Sequence, residues 1–299
     1  MTNLSSNKWQ GKTDGLPWMQ RSLLFFTQGV GLYVFYGFTF IVTLFYLITN
    51  RREYKAIKSF YRRVFGMSSI KGTIYAHRNF YTLGKIVMDR FSAYGGRKFD
   101  IDVENKEQYD ELENGDEGFV QLSSHVGNYE MAGYMKPFER KKLNVLVYSG
   151  ETETVMKNRK RIFDANNIAM IISDGSINHI YEINNALERG EIVSIPADRI
   201  HGSAKKLEVP FFDGKIALPM GPFIVAAQRD MAVTIPFVIK KSATRYAIYT
   251  TIFRLSDKQK EAPLREKAAI IAAFYAKQLE NVVREHPLQW FNYFDVFTE

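Results

Sequence analysis

Cysteine is absent from the 299-residue chain. Disulfide scaffolds, thiol nucleophiles, Cys-ligated zinc and iron–sulfur clusters are therefore excluded together. Histidine is scarce, at five residues, so a His-rich metal centre has little to draw on. Pro (9) and Gly (20) are near ordinary usage beside 46% hydrophobic residues, which argues against disorder. Common active-site signatures are missing too. With no Gly-x-Ser-x-Gly elbow and no His-Glu-x-x-His, neither a serine hydrolase triad nor a zinc protease has support. Gly11-Lys12-Thr13 lacks the earlier glycine of a phosphate loop, since Ser6 stands there. Gly29-Val30-Gly31 fails the dinucleotide pattern at Val34.

Charge is missing altogether between Arg21 and Arg51. As a helix, that run would be about 43 Å long, against a hydrocarbon core of about 30 Å. It is too long for a signal peptide's apolar region, and Ile48-Thr49-Asn50 offers no small-residue cleavage site. A membrane helix or half-immersed hairpin is the expected reading over a soluble core helix. The cluster that follows, Arg51, Arg52, Lys55, Lys58, Arg62 and Arg63, suits an anionic cytoplasmic leaflet. The formal charge of +8 is uneven: residues 1–99 hold 15 Lys/Arg and 3 Asp/Glu (+12), and residues 100–299 hold 25 and 29 (−4). Nucleic acid is not the expected partner, because no reader motif is present and the apolar run would go unexplained.

Beyond an acidic stretch, Asp100–Glu117, read as a solvated loop or helix face, the pattern becomes regular. Short β-branched runs at 118–123, 143–148, 168–172, 192–195, 233–239 and 246–253 alternate with helical stretches near 128–136, 152–166, 177–189 and 220–230. A further helix runs from Pro263 to Pro287. The expected fold is α/β, a mostly parallel central sheet flanked by helices, behind an N-terminal membrane-associated helical segment. The expected divisions are an anchor over 1–50, a basic helical subdomain over 51–105 and an α/β catalytic domain over 106–299.

One constellation carries chemistry: Ser123-Ser124-His125-Val126-Gly127-Asn128-Tyr129-Glu130. His125 falls just past a strand's carboxyl end, where open α/β sheets place their sites. Asn128 is a good cap for the next helix. On one continuous helix, His125 and Glu130 would lie about 140° apart; across a turn, the carboxylate can fold back to the imidazole. A carboxylate on one ring nitrogen leaves the other as a proton acceptor, as a general base for a hydroxyl requires. A histidine in such a place is also commonly structural, and Glu130 reads equally as a capping carboxylate. No third ligand is placed by spacing, so neither metal nor other cofactor is expected.

His-x-x-x-x-Glu after an apolar strand, behind an apolar amino-terminal segment, resembles the lysophospholipid acyltransferase superfamily. It is most similar to the late (lauroyl/myristoyl) acyltransferases of lipid A biosynthesis. Further blocks match in order: the basic helix Val155–Phe163, the strand and turn Ser194–Arg199, Val209–Gly221, and His286-Pro287-Leu288-Gln289-Trp290 near the end. Asp198-Arg199 departs from the longer acidic turn usual in that subfamily, which touches the acceptor rather than the reaction.

The resemblance implies an O-acyltransferase in which His125 deprotonates an acceptor hydroxyl and Glu130 orients the imidazole. Backbone amides at Gly127–Asn128 and the guanidinium of Arg159 or Arg161 become candidates to meet the developing oxyanion. Asp198 and Arg199 either hold an acceptor headgroup or pair with each other. The implied donor is acyl carrier protein, with acyl-CoA open. The implied acceptor is a lipid A precursor or another membrane lipid or pigment. The implied place is the bacterial inner membrane, with the catalytic domain on the cytoplasmic side. A membrane-attached thioesterase or lipid hydrolase, using the same pair on water, is the alternative.

Overall fold

The computed structural model describes residues 31–135, 138, 140–149, 153–200 and 205–298. Three helices come first: α1 (Leu32–Thr49), α2 (Arg51–Phe65) and α3 (Ser69–Tyr94). The apolar run before residue 31 lies outside the described residues. After it, α1 is long and apolar enough by composition to cross a membrane. One face of α1 is buried through Leu32, Phe35, Tyr36, Thr39 and Thr43, packed along α3. The other face leaves Phe38, Ile41, Phe45 and Ile48 each more than half exposed. Positions three and four apart share a helix face, so these four form one apolar stripe. Gly66, in the left-handed conformation, ends α2, and the Ser68 hydroxyl accepts the Lys71 amide to start α3.

The remainder is β1 (Asp100–Val103), α4 (Lys106–Asn114), β2 (Phe119–Ser123), α5 (Tyr129–Met135), β3 (Leu143–Tyr148), α6 (Glu153–Ala165), β4 (Ile168–Ser173), α7 (Asn178–Glu188) and β5 (Ile192–Pro196). It continues through β6 (Lys206–Phe211), β7 (Gly214–Pro219), α8 (Met220–Gln228), β8 (Val233–Lys240), β9 (Arg245–Phe253), α9 (Asp257–Lys260), α10 (Leu264–Glu285), a 3₁₀ turn (Pro287–Gln289) and β10 (Phe297–Thr298). Seven strands form one sheet in the order β1-β9-β8-β2-β5-β3-β4. Only the β8–β9 pair is antiparallel. The mostly parallel α/β fold is therefore the observed one.

Several elements exceed the sequence reading. β1, on the amino-terminal side of residue 105, pairs with β9 as the edge strand of the main sheet. The acidic α4 has no buried residue, as a solvated helix face should. Residues 206–219 form the hairpin β6–β7, with Phe212 and Asp213 at its turn, joined by β10. Pro210 fits there because β6 is an edge strand.

β2 is the middle strand, and its side chains alternate between two cores. Val120 and Leu122 join the core beneath α8 and α10, while Phe119 joins the opposite one. From α10, Ala268, Ile271, Tyr275, Leu279 and Val282 are buried, each large side chain worth about 1.5–3 kcal/mol. Leu264, four residues before Ala268, is 40% exposed, since it is the first residue of the helix.

Candidate active site

His125 sits two residues beyond the end of β2, and Asp198 two residues beyond the end of β5. These neighbouring parallel strands pair Ser123 with Pro196, so the two following loops run level and bring the side chains together. Asp198 Oδ1 accepts from the imidazole Nδ1 at 2.7 Å. Asp198 Oδ2 accepts the His125 backbone N–H at 2.9 Å and the Trp290 indole N–H at 3.3 Å. A carboxylate holding Nδ1–H leaves Nε2 as the acceptor nitrogen. Nε2 has no hydrogen-bond partner among the described residues. Between Leu122 and Glu130, only His125 and Tyr129 are not buried, and their rings touch edge to face at 5.9 Å.

Desolvation, with Arg199 and then Arg90 nearby, pushes the imidazole below its ordinary pKa of 6.5, against the opposing pull of Asp198. The ring is neutral at neutral pH, the state a base needs. Asp198 has no exposed side-chain surface; despite burial, His125 and Arg199 hold its carboxyl at about 2.

Glu130 does not meet the imidazole, contrary to expectation. It enters the first turn of α5 on a face turned toward α3 and α6. There it accepts a bidentate pair from Arg159 (Nη2 to Oε1 2.9 Å, Nε to Oε2 3.2 Å) and lies 3.0 Å from Arg90 Nη1. The Tyr134 hydroxyl also donates to it. The two guanidiniums outweigh its burial and hold its carboxyl at about 2. The backbone amides proposed as oxyanion donors are also occupied. Gly127 N–H donates to the Gln289 carbonyl at 2.7 Å, and Asn128 N–H to the Val238 carbonyl at 2.8 Å. The Asn128 side chain accepts from Arg90 Nε and donates to the Tyr246 hydroxyl rather than capping α5.

Of the arginines considered, Arg159 reaches the site as a partner of Glu130. Arg161 does not: two residues further on, it is rotated about 200° around the helix and donates to the Tyr94 carbonyl at 2.9 Å. Asp198 and Arg199 diverge, the first to His125 and the second donating to the Phe291 carbonyl. Arg90, overlooked in the sequence, lies over the Tyr129 ring at 5.4 Å, and its Nη2 has no partner among the described residues. The signal that could have found it is an Asp89-Arg90 pair interrupting an otherwise apolar helical stretch.

The terminal Pro-x-Gln-Trp block acquires a role. The Gln289 side chain bonds both backbone groups of Lys240, Val126 bridges Trp290, and Phe291 N–H donates to the His125 carbonyl at 3.0 Å. Asn79 of α3 holds the Leu288 and Trp290 carbonyls. The segment is a rear wall for the His125 loop. Gly127 is required where they meet: its φ is +62°, and a Cβ would collide with the Val238 carbonyl.

An apolar cavity of about 110 Å³ runs along the sheet beneath α4 and α5. Ser123, Tyr129, Glu130, Val145, Val238 and Ile248 are among its walls. Among the described residues, no group of three or more acidic or His side chains converges as a metal site would.

A carboxylate-oriented neutral imidazole thus stands at the carboxyl edge of a mostly parallel sheet, two residues past Ser123, which lines an apolar cavity. Residues 83–295 match the bacterial lipid A biosynthesis acyltransferases, and the chain belongs to that family; it is a lipid acyltransferase. Among solved structures, it is similar to the 1-acyl-sn-glycerophosphate (LPA) acyltransferase PlsC from Thermotoga maritima. That likeness stands at 12% identity and a TM-score of 0.35, covering 83% of this chain and 98% of that chain. No curated protein is similar in sequence.

Proposed function

We propose that the protein moves a fatty acyl chain from an acyl carrier protein thioester to a hydroxyl of a membrane lipid, a lipid A precursor or a related acceptor. His125 Nε2 takes the hydroxyl proton as the oxygen attacks the thioester carbon. The new C–O bond gives a tetrahedral oxyanion; the C–S bond then breaks, and the proton passes to the departing thiolate. Asp198 fixes the tautomer and favours the transient imidazolium. Arg90, with Arg159 behind it, supplies positive charge for the oxyanion in place of the occupied amides. Glu130 positions both arginines. The acyl chain lies in the cavity beneath α4 and α5.

The observation that carries this reading is the free Nε2 of a neutral, Asp-held imidazole, flanked by Ser123 and Tyr129, which line an apolar cavity. The outward stripe of α1, followed by exposed Arg51, Arg52 and Lys55, supports attachment to the cytoplasmic face of the bacterial inner membrane. The basic amino-terminal third also suits an acidic carrier protein.

The test is acyl transfer in liposomes from labelled acyl carrier protein, with and without a lipid A precursor. Labelled ester appears only with acceptor and disappears in His125→Ala. Thioester loss that ignores the acceptor and yields only free acid would assign hydrolysis instead. Acyl-CoA in parallel reads donor choice, and the triple change Phe38→Ser, Ile41→Ser and Phe45→Ser reads attachment by sedimentation.

A further inference from the structure

A second concavity, of about 600 Å³, opens where α1, α3 and the β8–β9 turn meet. Its walls include Tyr33 and Tyr36 of α1, Tyr81 and Lys85 of α3, and Lys240 and Lys241 at the end of β8. Three lysines therefore line one hollow. Lys240 has an acidic partner in Asp89, a carboxylate that Tyr36 and Tyr246 also bond. Lys85 and Lys241 form no ion pair among the described residues. Each lies over a tyrosine ring instead, Lys85 4.7 Å from that of Tyr81 and Lys241 5.1 Å from that of Tyr249. Desolvation, with Arg78 nearby, lowers the Lys85 pKa from its ordinary value against the pull of Asp89, the mark of a cation short of water. An arriving anion would offset that loss of hydration.

The setting selects the anion. The hollow borders the helix whose outward stripe is apolar, with Tyr33 and Tyr36 on its rim. When acyl chains cover that stripe, headgroup phosphates lie at the level of such flanking tyrosines and lysines. A phosphate offers several acceptor oxygens to two ammonium groups and a phenol.

We propose that this hollow binds the phosphate of an anionic lipid headgroup, with Lys85 and Lys241 as its ligands, apart from the His125 centre. The inference rests on the membrane-facing reading of α1. Its mechanical consequence follows from Gln289, which lines the hollow while its carbonyl holds Gly127. An occupied site braces the wall behind the catalytic loop and fixes that loop's height above the bilayer.

The experiment is a titration of the full chain with short-chain phosphatidylglycerol dispersed as monomers, followed by calorimetry, so that no bilayer and no turnover are needed. Saturable binding is expected. Lys85→Gln/Lys241→Gln, which removes both charge-assisted hydrogen bonds, should weaken it at least about 100-fold, about 2.7 kcal/mol. Arg52→Gln/Lys55→Gln on α2 should leave it within about two-fold, because a diffuse surface patch makes no such bonds. Absence of saturable binding, or equal loss in both double variants, overturns the site whether or not acyl transfer is observed. Unfolding curves keep a misfolded variant from counting, and Lys85→Arg, which retains the charge, should recover most of the Lys85→Gln loss. Transfer in neutral-detergent micelles then separates two sources of the phosphate. A raised acceptor KM with unchanged kcat assigns it to the acceptor; lost activation by added phosphatidylglycerol assigns it to bulk lipid.

Discussion

Asp198→Asn isolates the orientation of the imidazole from everything else in the site. The native carboxylate accepts three N–H groups: His125 Nδ1–H, His125 N–H and the Trp290 indole N–H. An amide of the same shape can accept at one position only and must present its NH₂ at the other. Placed toward the ring, that NH₂ forces Nδ1 to accept and moves the proton to Nε2, removing the base. Placed the other way, it confronts the His125 backbone amide and the indole with a donor, and the loop shifts. Loss of general-base catalysis is worth about 10²–10⁴-fold, so we expect kcat to fall on the order of 10³-fold, about 4 kcal/mol of barrier. KM should change little, since neither the cavity nor the arginines are touched. The native carboxyl is held at about 2 against an ordinary 3.8. That depression stabilises the fold by about 2 kcal/mol above the unfolded pKa, a contribution lost as pH falls through the folded one. The variant should therefore unfold at lower temperature while remaining folded under assay conditions. Single-turnover transfer from labelled acyl carrier protein reads kcat, and its pH profile supplies a second check. Native activity should rise with pH through an apparent pKa below 6.5 and then level off. Asp198 is the group that raises the imidazole pKa, so whatever activity survives should show that limb moved further toward acid. A variant within about three-fold of native kcat, with an unmoved acid limb, would refute the His125–Asp198 assignment.

Glu130→Gln should leave the imidazole untouched but remove the carboxylate that two guanidiniums share. A fall of about 3–5 kcal/mol in stability is expected, read as a large drop in Tm, with a smaller loss of kcat in the folded fraction than Asp198→Asn causes. In the native protein, Glu130 titrates near 2 rather than 4.5. Its contribution should be complete above about pH 4.5 and vanish toward pH 2 in acid-unfolding curves, and that dependence should disappear in the variant. Gly127→Ala sets a Cβ against the Val238 carbonyl at a positive φ; transfer should fall more than about 100-fold as the His125 loop is displaced, a 1 Å error being enough. Val145→Trp, in the cavity wall, should shift competition among acyl carrier protein thioesters toward shorter chains while medium-chain turnover stays within a few-fold.

The strands of the central sheet were legible because each is a short β-branched run between turn residues, and α10 because two prolines bracket an apolar stripe. β1 was hidden by its own composition: Asp100-Ile-Asp-Val alternates acid with apolar residues and reads as part of the acidic stretch around it. The β6–β7 hairpin was hidden by Pro210, which is tolerable only once the strand is known to lie at an edge. At the site, the position of His125 just past a strand is legible from local order alone. Its contact with Asp198 is not, because the meeting depends on β2 and β5 being neighbours. Two strands, β3 and β4, intervene in sequence, and nothing local reports that β5 returns between β3 and β2. The occupied amides of Gly127 and Asn128 were equally illegible, since their acceptors, Gln289 and Val238, arrive from more than a hundred residues away.

Why the carboxylate five residues after His125 turns away follows from comparing magnitudes. Near Glu130 lie two guanidiniums, Arg159 with 4% and Arg90 with 22% of its side chain exposed. Leaving a buried charge without its partner costs about 3–5 kcal/mol, and here two cations share one carboxylate. A hydrogen bond from the same carboxylate to the imidazole would contribute about 1.5–3 kcal/mol, and less Coulombic attraction than an ion pair because the ring is neutral at working pH. The arginines therefore claim Glu130. The imidazole is left to Asp198, whose lone pairs are already drawn to that spot by His125 N–H and the Trp290 indole. The division has a chemical consequence. The guanidiniums of Arg90 and Arg159 lie on the α5 side of the site, while Asp198 balances the base from the other side. Negative charge developing on a substrate oxygen between them is favoured, and the imidazole stays unprotonated until it takes the proton of the attacking hydroxyl.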